Sequence, residues 1–178
     1  MTSWRPGDRR PDTASMLRVD QAGEYGATRI YAGQLAILRR NCPEAKLISR
    51  MAAQEQRHLD RFDKLMAARR VRPTALQPLW NVAGFALGAA TALMSEEAAL
   101  ACTDAVETEI DKHYREQLAE LGDDDPEFSA DIEEFRAEEL EHRDTARSAG
   151  ATNAFGYPIL TAAIRAGCRV AIELSKRI

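Results

Sequence analysis

Apolar side chains recur every three or four residues along four long stretches of the chain, the spacing of amphipathic helices. The first, over 15–40, places Leu17, Ala27, Tyr31, Leu35 and Leu38 on one stripe, with Asp20, Gln21, Glu24 and Thr28 among them. The second, over 43–69, aligns Ile48, Met51, Leu59, Phe62 and Met66 with Glu55 and His58. The third, ending at Leu121, aligns Leu100, Thr103, Ile110, Tyr114, Leu118 and Leu121 with Glu107. The fourth, over 126–149, aligns Phe128, Ile132, Phe135 and Ala146 with Glu139 and His142. Breaks fall where the chemistry favours them: Pro43 and Pro126 suit a first helical turn, and Gly150 suits a helix stop. A last amphipathic helix is expected over 158–176, with Ile159, Ile164, Val170 and Leu174 on one face and Arg165, Arg169, Lys176 and Arg177 beside it.

Ionisable residues on these apolar stripes are the anomaly. Glu55 with His58 and Glu139 with His142 are both Glu-x-x-His pairs, which share one helix face. A lone glutamate precedes each pair: Glu24 by 31 residues and Glu107 by 32. The neighbours repeat too. Leu17 and Leu100 lie seven before the lone glutamates, and Tyr31 and Tyr114 seven after them. Ile48 and Ile132 lie seven before the Glu-x-x-His glutamates. The chain therefore reads as one helical hairpin used twice. With 16 Glu in 178 residues, two of three histidines would meet a glutamate at minus three by chance only about once in forty. One Glu from each of two helices plus Glu-x-x-His from each of two others is the ligand inventory of a ferritin-like di-iron or di-manganese four-helix bundle. The expected fold is all-α: such a bundle built from two similar hairpins, with an apolar crossover and an additional C-terminal helix. Residues 1–14 read as a flexible N-terminal arm and 15–178 as a single domain.

Composition removes other classes. A net charge of −4 leaves no electrostatic footprint for nucleic acid. There is no Walker loop and no dinucleotide fingerprint. Cys42, Cys102 and Cys168 are odd in number and form no C-x-x-C, which points to reduced, structural thiols. The N-terminus lacks the apolar core of a secretory signal, so a bacterial protein or a processed organellar form is expected. Carboxylate-rich, thiolate-free ligands suit iron or manganese and disfavour zinc.

The crossover over 72–95 narrows the purpose of such a site. Between Arg72 and Glu96 lie 23 residues without a charge. Pro73, Pro78, Gln77 and Asn81 argue against a membrane span, as does the need to return Glu107 to the bundle. An apolar segment lying in the membrane interface, with Trp80 at headgroup level, is expected; a buried crossover is the alternative. An interfacial apolar surface beside a redox metal suggests a lipid-soluble substrate. A ferritin-like iron-binding, ferroxidase or peroxide-reducing protein that does not act on such a substrate is the competing reading.

Longer motifs carry a specific resemblance. Residues 18–27 (RVDQAGEYGA), 29–34 (RIYAGQ), 71–74 (VRPT), 78–81 (PLWN), 84–89 (GFALGA), 101–103 (ACT), 138–142 (EELEH) and 166–172 (AGCRVAI) resemble the demethoxyubiquinone hydroxylases of ubiquinone biosynthesis. The resemblance implies a monooxygenase that hydroxylates a demethoxyubiquinol ring with O2. It implies two iron ions held by Glu24, Glu55, His58, Glu107, Glu139 and His142, with NADH as the associated reductant. Glu107 is preferred to Glu109 because it shares the stripe of Tyr114 and repeats the Glu24 spacing. His113 and Tyr114 resemble residues proposed for electron or proton relay, although His113 also reads as an ordinary, partly exposed histidine. A peripheral location follows, on the cytoplasmic face of the bacterial inner membrane or the matrix face of the mitochondrial one. A lipid-binding partner and a homo-oligomer are further expectations of the resemblance.

Overall fold

The computed structural model describes residues 11–177; most of the expected N-terminal arm lies outside them. Helix α1 spans Thr13–Ile37, α2 Pro43–Arg69, α3 Gln77–Met94, α4 Glu96–Leu121, α5 Pro126–Ser148 and α6 Tyr157–Ser175, with a short 3-10 turn at Ala151–Asn153 before α6. No strand occurs among the described residues. The local chemistry explains the boundaries. Asp12 caps α1 by accepting from the Ser15 amide at 3.0 Å, so the helix starts two residues before the expected point. Cys42 caps α2 ahead of Pro43, Ser95 caps α4, and Asp125 caps α5 ahead of Pro126. Gly122 and Gly150 leave the helical region with φ of 52° and 110°.

Helices α1 and α2 form one hairpin and α4 and α5 the other. Two apolar clusters fill the bundle. One holds Tyr31, Leu38, Ile48, Met51 and Leu100; the other holds Leu17, Phe62, Tyr114, Phe128, Ile132 and Phe135. Along α1 and α4 these clusters flank Glu24 and Glu107 at seven residues on either side, so the polar layer lies between two apolar ones. On the outer face, α2 and α5 are tied by Arg57 to Glu134, Arg61 to Asp131 and Arg69 to Asp125. Pairs this exposed are worth about 1 kcal/mol or less each.

The crossover is a helix in its own right rather than a segment lying free on the surface. One face of α3 is pressed into α1 through glycines. A Cβ added at Gly88 would lie 1.9 Å from the Ile30 carbonyl oxygen, and one at Gly33 would lie 2.1 Å from the Phe85 carbonyl oxygen. The opposite face exposes Leu79, Val82, Leu93 and Met94. The buried crossover describes the face against α1, while the outer face is apolar and exposed. Helix α6 packs against α4 as α3 packs against α1. Gly84 follows Glu24 by 60 residues and Gly167 follows Glu107 by the same number. The duplication is therefore of three helices: a hairpin plus a third helix on its first.

Gly88→Ala should destabilise the protein by about 2–4 kcal/mol, because the clash is with backbone that cannot turn aside. Gly26→Ala, whose Cβ meets nothing within 4 Å, should instead be neutral or stabilising by up to about 1 kcal/mol. Urea unfolding followed by circular dichroism measures both.

Candidate metal centre

The four bundle helices bring all six predicted residues together at the middle of the polar layer. Each has at most 2% of its surface exposed. His58 Nδ1 lies 3.4 Å from Glu24 Oε2 and 3.1 Å from Glu139 Oε1. His142 Nδ1 lies 3.0 Å from Glu55 Oε1 and 3.3 Å from Glu139 Oε2. Two sets of four ligand atoms each fit within 4.8 Å: Glu24, Glu55, His58 and Glu139, and then Glu55, Glu107, Glu139 and His142. Glu55 and Glu139 belong to both, as bridging carboxylates between two ions would.

The inward atoms make the chemical case. Glu24 Oε2, both oxygens of Glu55, Glu107 Oε2, both oxygens of Glu139 and the Nδ1 of each histidine are buried and have no hydrogen-bond partner. Leaving so many polar atoms unpaired in a dry core is prohibitive for a domain stable by only about 5–15 kcal/mol. Two divalent cations would satisfy all of them. Four carboxylates balance two double positive charges, and neutral imidazoles complete the set. The residues present therefore fit a dinuclear site.

The outer atoms are fixed by protein. The Tyr31 hydroxyl donates to Glu107 Oε1 at 2.8 Å, and the Tyr114 hydroxyl donates to Glu24 Oε1. Each tyrosine of the repeat thus serves the lone glutamate of the other copy. His58 Nε2 faces Glu138 Oε2 at 2.7 Å and His142 Nε2 faces Gln54 Oε1 at 3.0 Å. His58 also stacks on Phe135, ring centres 4.1 Å apart. Sequence reasoning passed over Gln54 and Glu138, although each directly precedes a Glu-x-x-His glutamate and the repeat could have flagged them. Glu109 points away and pairs with Arg165 at 2.6 Å and Arg169 at 2.9 Å. His113 does not reach the cluster. Its Nε2 lies 3.1 Å from Asp20 Oδ1, whose other oxygen accepts from Gln117.

A cavity of about 490 Å³ opens beside the cluster, between α1, α3, α4 and α6. Its lining is almost wholly apolar and includes Gly23, Ile30, Trp80, Val106, Ile164 and Gly167. A closed cleft, too narrow to admit a water molecule, shares Ala27, Ile30 and Val106 with the cavity and is lined also by Tyr31, Thr103 and Glu107. The Thr103 hydroxyl is buried there without a partner.

Residues 11–175 match the family model described as "Ubiquinone biosynthesis protein COQ7". Over 175 residues the chain is 54% identical to the protein of Rhodospirillum rubrum named 3-demethoxyubiquinol 3-hydroxylase, covering 97% of this chain and 82% of that one. It is 52% identical over 167 residues to the human protein named NADPH-dependent 3-demethoxyubiquinone 3-hydroxylase, mitochondrial, covering 92% and 76%. It is 42% identical over 179 residues to the Saccharomyces cerevisiae protein named 5-demethoxyubiquinone hydroxylase, mitochondrial, covering 92% and 77%.

The electrostatics of the metal-free cluster are strained in one direction. Burial, with repulsion from Glu139, holds the Glu55 and Glu107 carboxyls well above the ordinary value of 4.5. Burial raises Glu139 as well, against the pull of His58. Burial also presses on Glu24, but hydrogen bonding and charge from His58 bring it below the ordinary value. Burial opposes charge on His58, yet Glu139 and Glu24 hold it up to about 11. Burial, with the charge of His58 against it, lowers His142.

A carboxyl raised in the folded state stabilises fully below its unfolded pKa of 4.5, and that contribution fades as pH rises. The His58 contribution is complete below 6.5 and fades toward 11, in the same direction. Glu24 and His142, both lowered, work the other way, Glu24 only below its ordinary value of 4.5. The metal-free protein should therefore melt at a lower temperature as pH rises from about 5 to about 9. Two equivalents of Mn(II) should raise the melting temperature and flatten that slope, because the ions bind the deprotonated ligands. Thermal melts with and without Mn(II) across that range measure both effects.

Proposed function

The chain belongs to the COQ7 family of ubiquinone biosynthesis proteins, and on that premise we propose that it is a di-iron monooxygenase that hydroxylates the ring of a demethoxyubiquinol. The observation that carries this reading is the apolar cavity beside the carboxylate–histidine cluster, separated from Glu107 only by the closed cleft behind Ala27, Ile30 and Val106. A storage or ferroxidase bundle has no need of such a cavity. Glu24, Glu55, His58 and Glu139 would hold one iron, and Glu55, Glu107, Glu139 and His142 the other. Bound there, the metal pair would supply the redox chemistry for O2; with two electrons from a reductant, one oxygen atom enters the ring and the other leaves as water.

The remaining work belongs to the side chains. The cavity walls hold the isoprenoid tail and exclude water, so the ring arrives in a dry site where fixed charges act strongly. Tyr31 and Tyr114 each occupy one oxygen of Glu107 and Glu24, leaving the other oxygen turned inward. We assign the relay of electrons or protons to His113 and Tyr114. His113 is partly open to solvent and bonded to Asp20, which lies one helical turn before Glu24. Tyr114 bonds to Glu24 itself. NADH is the reductant expected from the resemblance, while the human relative is named for NADPH; a reduced nicotinamide nucleotide is the common reading.

Membrane docking is part of the proposal. No helix among the described residues is long and apolar enough to cross a membrane. Yet α3 and α6, which flank the cavity, expose Leu79, Val82, Leu93, Met94, Ile159 and Val170. Such a face suits a bilayer surface, with the bundle lying peripherally and taking its substrate from the lipid. The single domain over 15–178 would sit on the cytoplasmic face of the bacterial inner membrane, or the matrix face if the form is organellar. A lipid-binding partner or a second copy would meet the same face.

Anaerobic loading with Fe(II), followed by O2, reductant and a demethoxyquinol, should yield a product heavier by one oxygen atom in mass spectrometry. Iron oxidation with the quinol unchanged would sink the proposal. Leucine at Gly23 or Gly167 should leave the fold intact, since a Cβ there meets nothing within 4 Å. Filling the cavity from opposite walls, each variant should lower kcat/KM for a long-tailed quinol at least about tenfold while two-metal binding is retained.

A further inference from the structure

The two halves of the metal centre are related by the internal repeat, but the groups behind the two histidines are not alike. Each histidine turns Nδ1 inward and Nε2 outward, so with a metal bound Nε2 would carry the proton and Nδ1 the donating lone pair. Each outward N–H is received by the residue just before the shared glutamate of the opposite copy. For His58 that residue is Glu138, at 2.7 Å; for His142 it is Gln54, at 3.0 Å. The positions correspond and the chemistry differs: a carboxylate behind one imidazole, a neutral amide behind the other. Arg57 and His58, neighbours on α2, both bond the same Glu138 oxygen and fix it in place.

A carboxylate behind a ligand imidazole makes the inner nitrogen a stronger donor than an amide does, and losing such support weakens metal binding about 10–100-fold. A second asymmetry falls in register with the first. Glu107, which belongs only to the His142 set, is the one cluster residue that lines the cleft from the cavity. Resting on the two-metal reading above, we propose that Glu138 and Gln54 are positioning residues that make the two metal positions unequal. The position of Glu24 and His58, backed by a carboxylate and with neither residue on that cleft, fills first and holds its ion. The position of Glu107 and His142, backed by an amide and facing the cavity, fills second and exchanges its ion.

The test is an equilibrium titration of the full metal-free chain with Mn(II) alone, following the free ion by electron paramagnetic resonance. Repulsion between two ions separates the binding steps of any bridged pair, so substitutions rather than the wild-type curve discriminate. Glu138→Gln keeps the shape and an acceptor for His58; it should weaken the first step about 10–100-fold and leave the second nearly unchanged. Gln54→Glu should tighten the second step by a similar factor, a gain that misfolding cannot imitate. His142→Ala should abolish the second step and spare the first. Equal shifts of both steps in Glu138→Gln, or no tightening in Gln54→Glu, would overturn the inequality while leaving the two-metal centre standing. Fewer than two Mn(II) bound by the wild type would overturn the two-metal reading and this inference with it.

Discussion

Six ionisable groups packed into a dry core form the interaction on which the rest of this structure depends. Without counter-charge, Glu55, Glu107 and Glu139 repel one another and resist ionisation. Among the described residues no arginine or lysine is buried in the layer to compensate. The surrounding bundle must be stable enough to tolerate this, and its composition shows how. Fully buried Leu17, Ile48, Leu100 and Ile132 repeat at fixed distances from the cluster, sealing it above and below. The two tyrosines reach across the pseudo-twofold, so neither copy of the hairpin has its full set of supporting bonds alone. Supporting groups exchanged between halves bind the two hairpins into one site.

The three-helix repeat explains where the cavity lies. Each half contributes a first helix that carries a lone glutamate and a third helix that leans on it. Where the third helices α3 and α6 approach each other, glycine and alanine replace larger side chains. Gly23 and Gly26 on α1 and Gly167 on α6 have open space where a side chain would stand. Gly84 and Gly88 do the opposite, letting backbone meet backbone so tightly that α3 is held against α1. Glycine thus makes a void in one place and removes one in another, and the neighbouring atoms decide which. Trp80, donating from α3 to the Ser175 hydroxyl at 3.2 Å, ties the two third helices together at one end of the cavity.

Much of this was legible in the sequence because helix periodicity and ligand spacing are local properties. The stripes gave the four bundle helices, and the Glu-x-x-His spacing with its repeat gave the six residues that the fold gathers. The preference for Glu107 over Glu109 also followed from the stripe; Glu109 is buried away from the cluster, against Arg165 and Arg169 of α6. Less legible was anything that depends on packing between distant segments. Two glycines four apart, Gly84 and Gly88, are too common a pattern to reveal by themselves that the Ile30 backbone lies against Gly88. The match between Gly84 and Gly167 was hidden because α3 is uncharged while α6 carries arginines. Gln54 and Glu138 were hidden because polar residues beside a ligand look like ordinary solvent-facing ones.

The distribution of polarity around the cluster then gives the site a direction. On the α2 and α5 side, arginine–carboxylate pairs face water, and Glu138 and Gln54 close the histidines off from it. On the α1 and α4 side, the lone glutamates stand behind small apolar residues that open into the cavity between α3 and α6. The polar pairs and the apolar cavity therefore lie on different faces of one bundle. A cavity walled by hydrocarbon side chains favours an apolar substrate before any contact with its ring is made. The carboxylate–histidine layer needs four helices; the cavity comes from the third helix of each half, so it is α3 and α6 that give the bundle its direction.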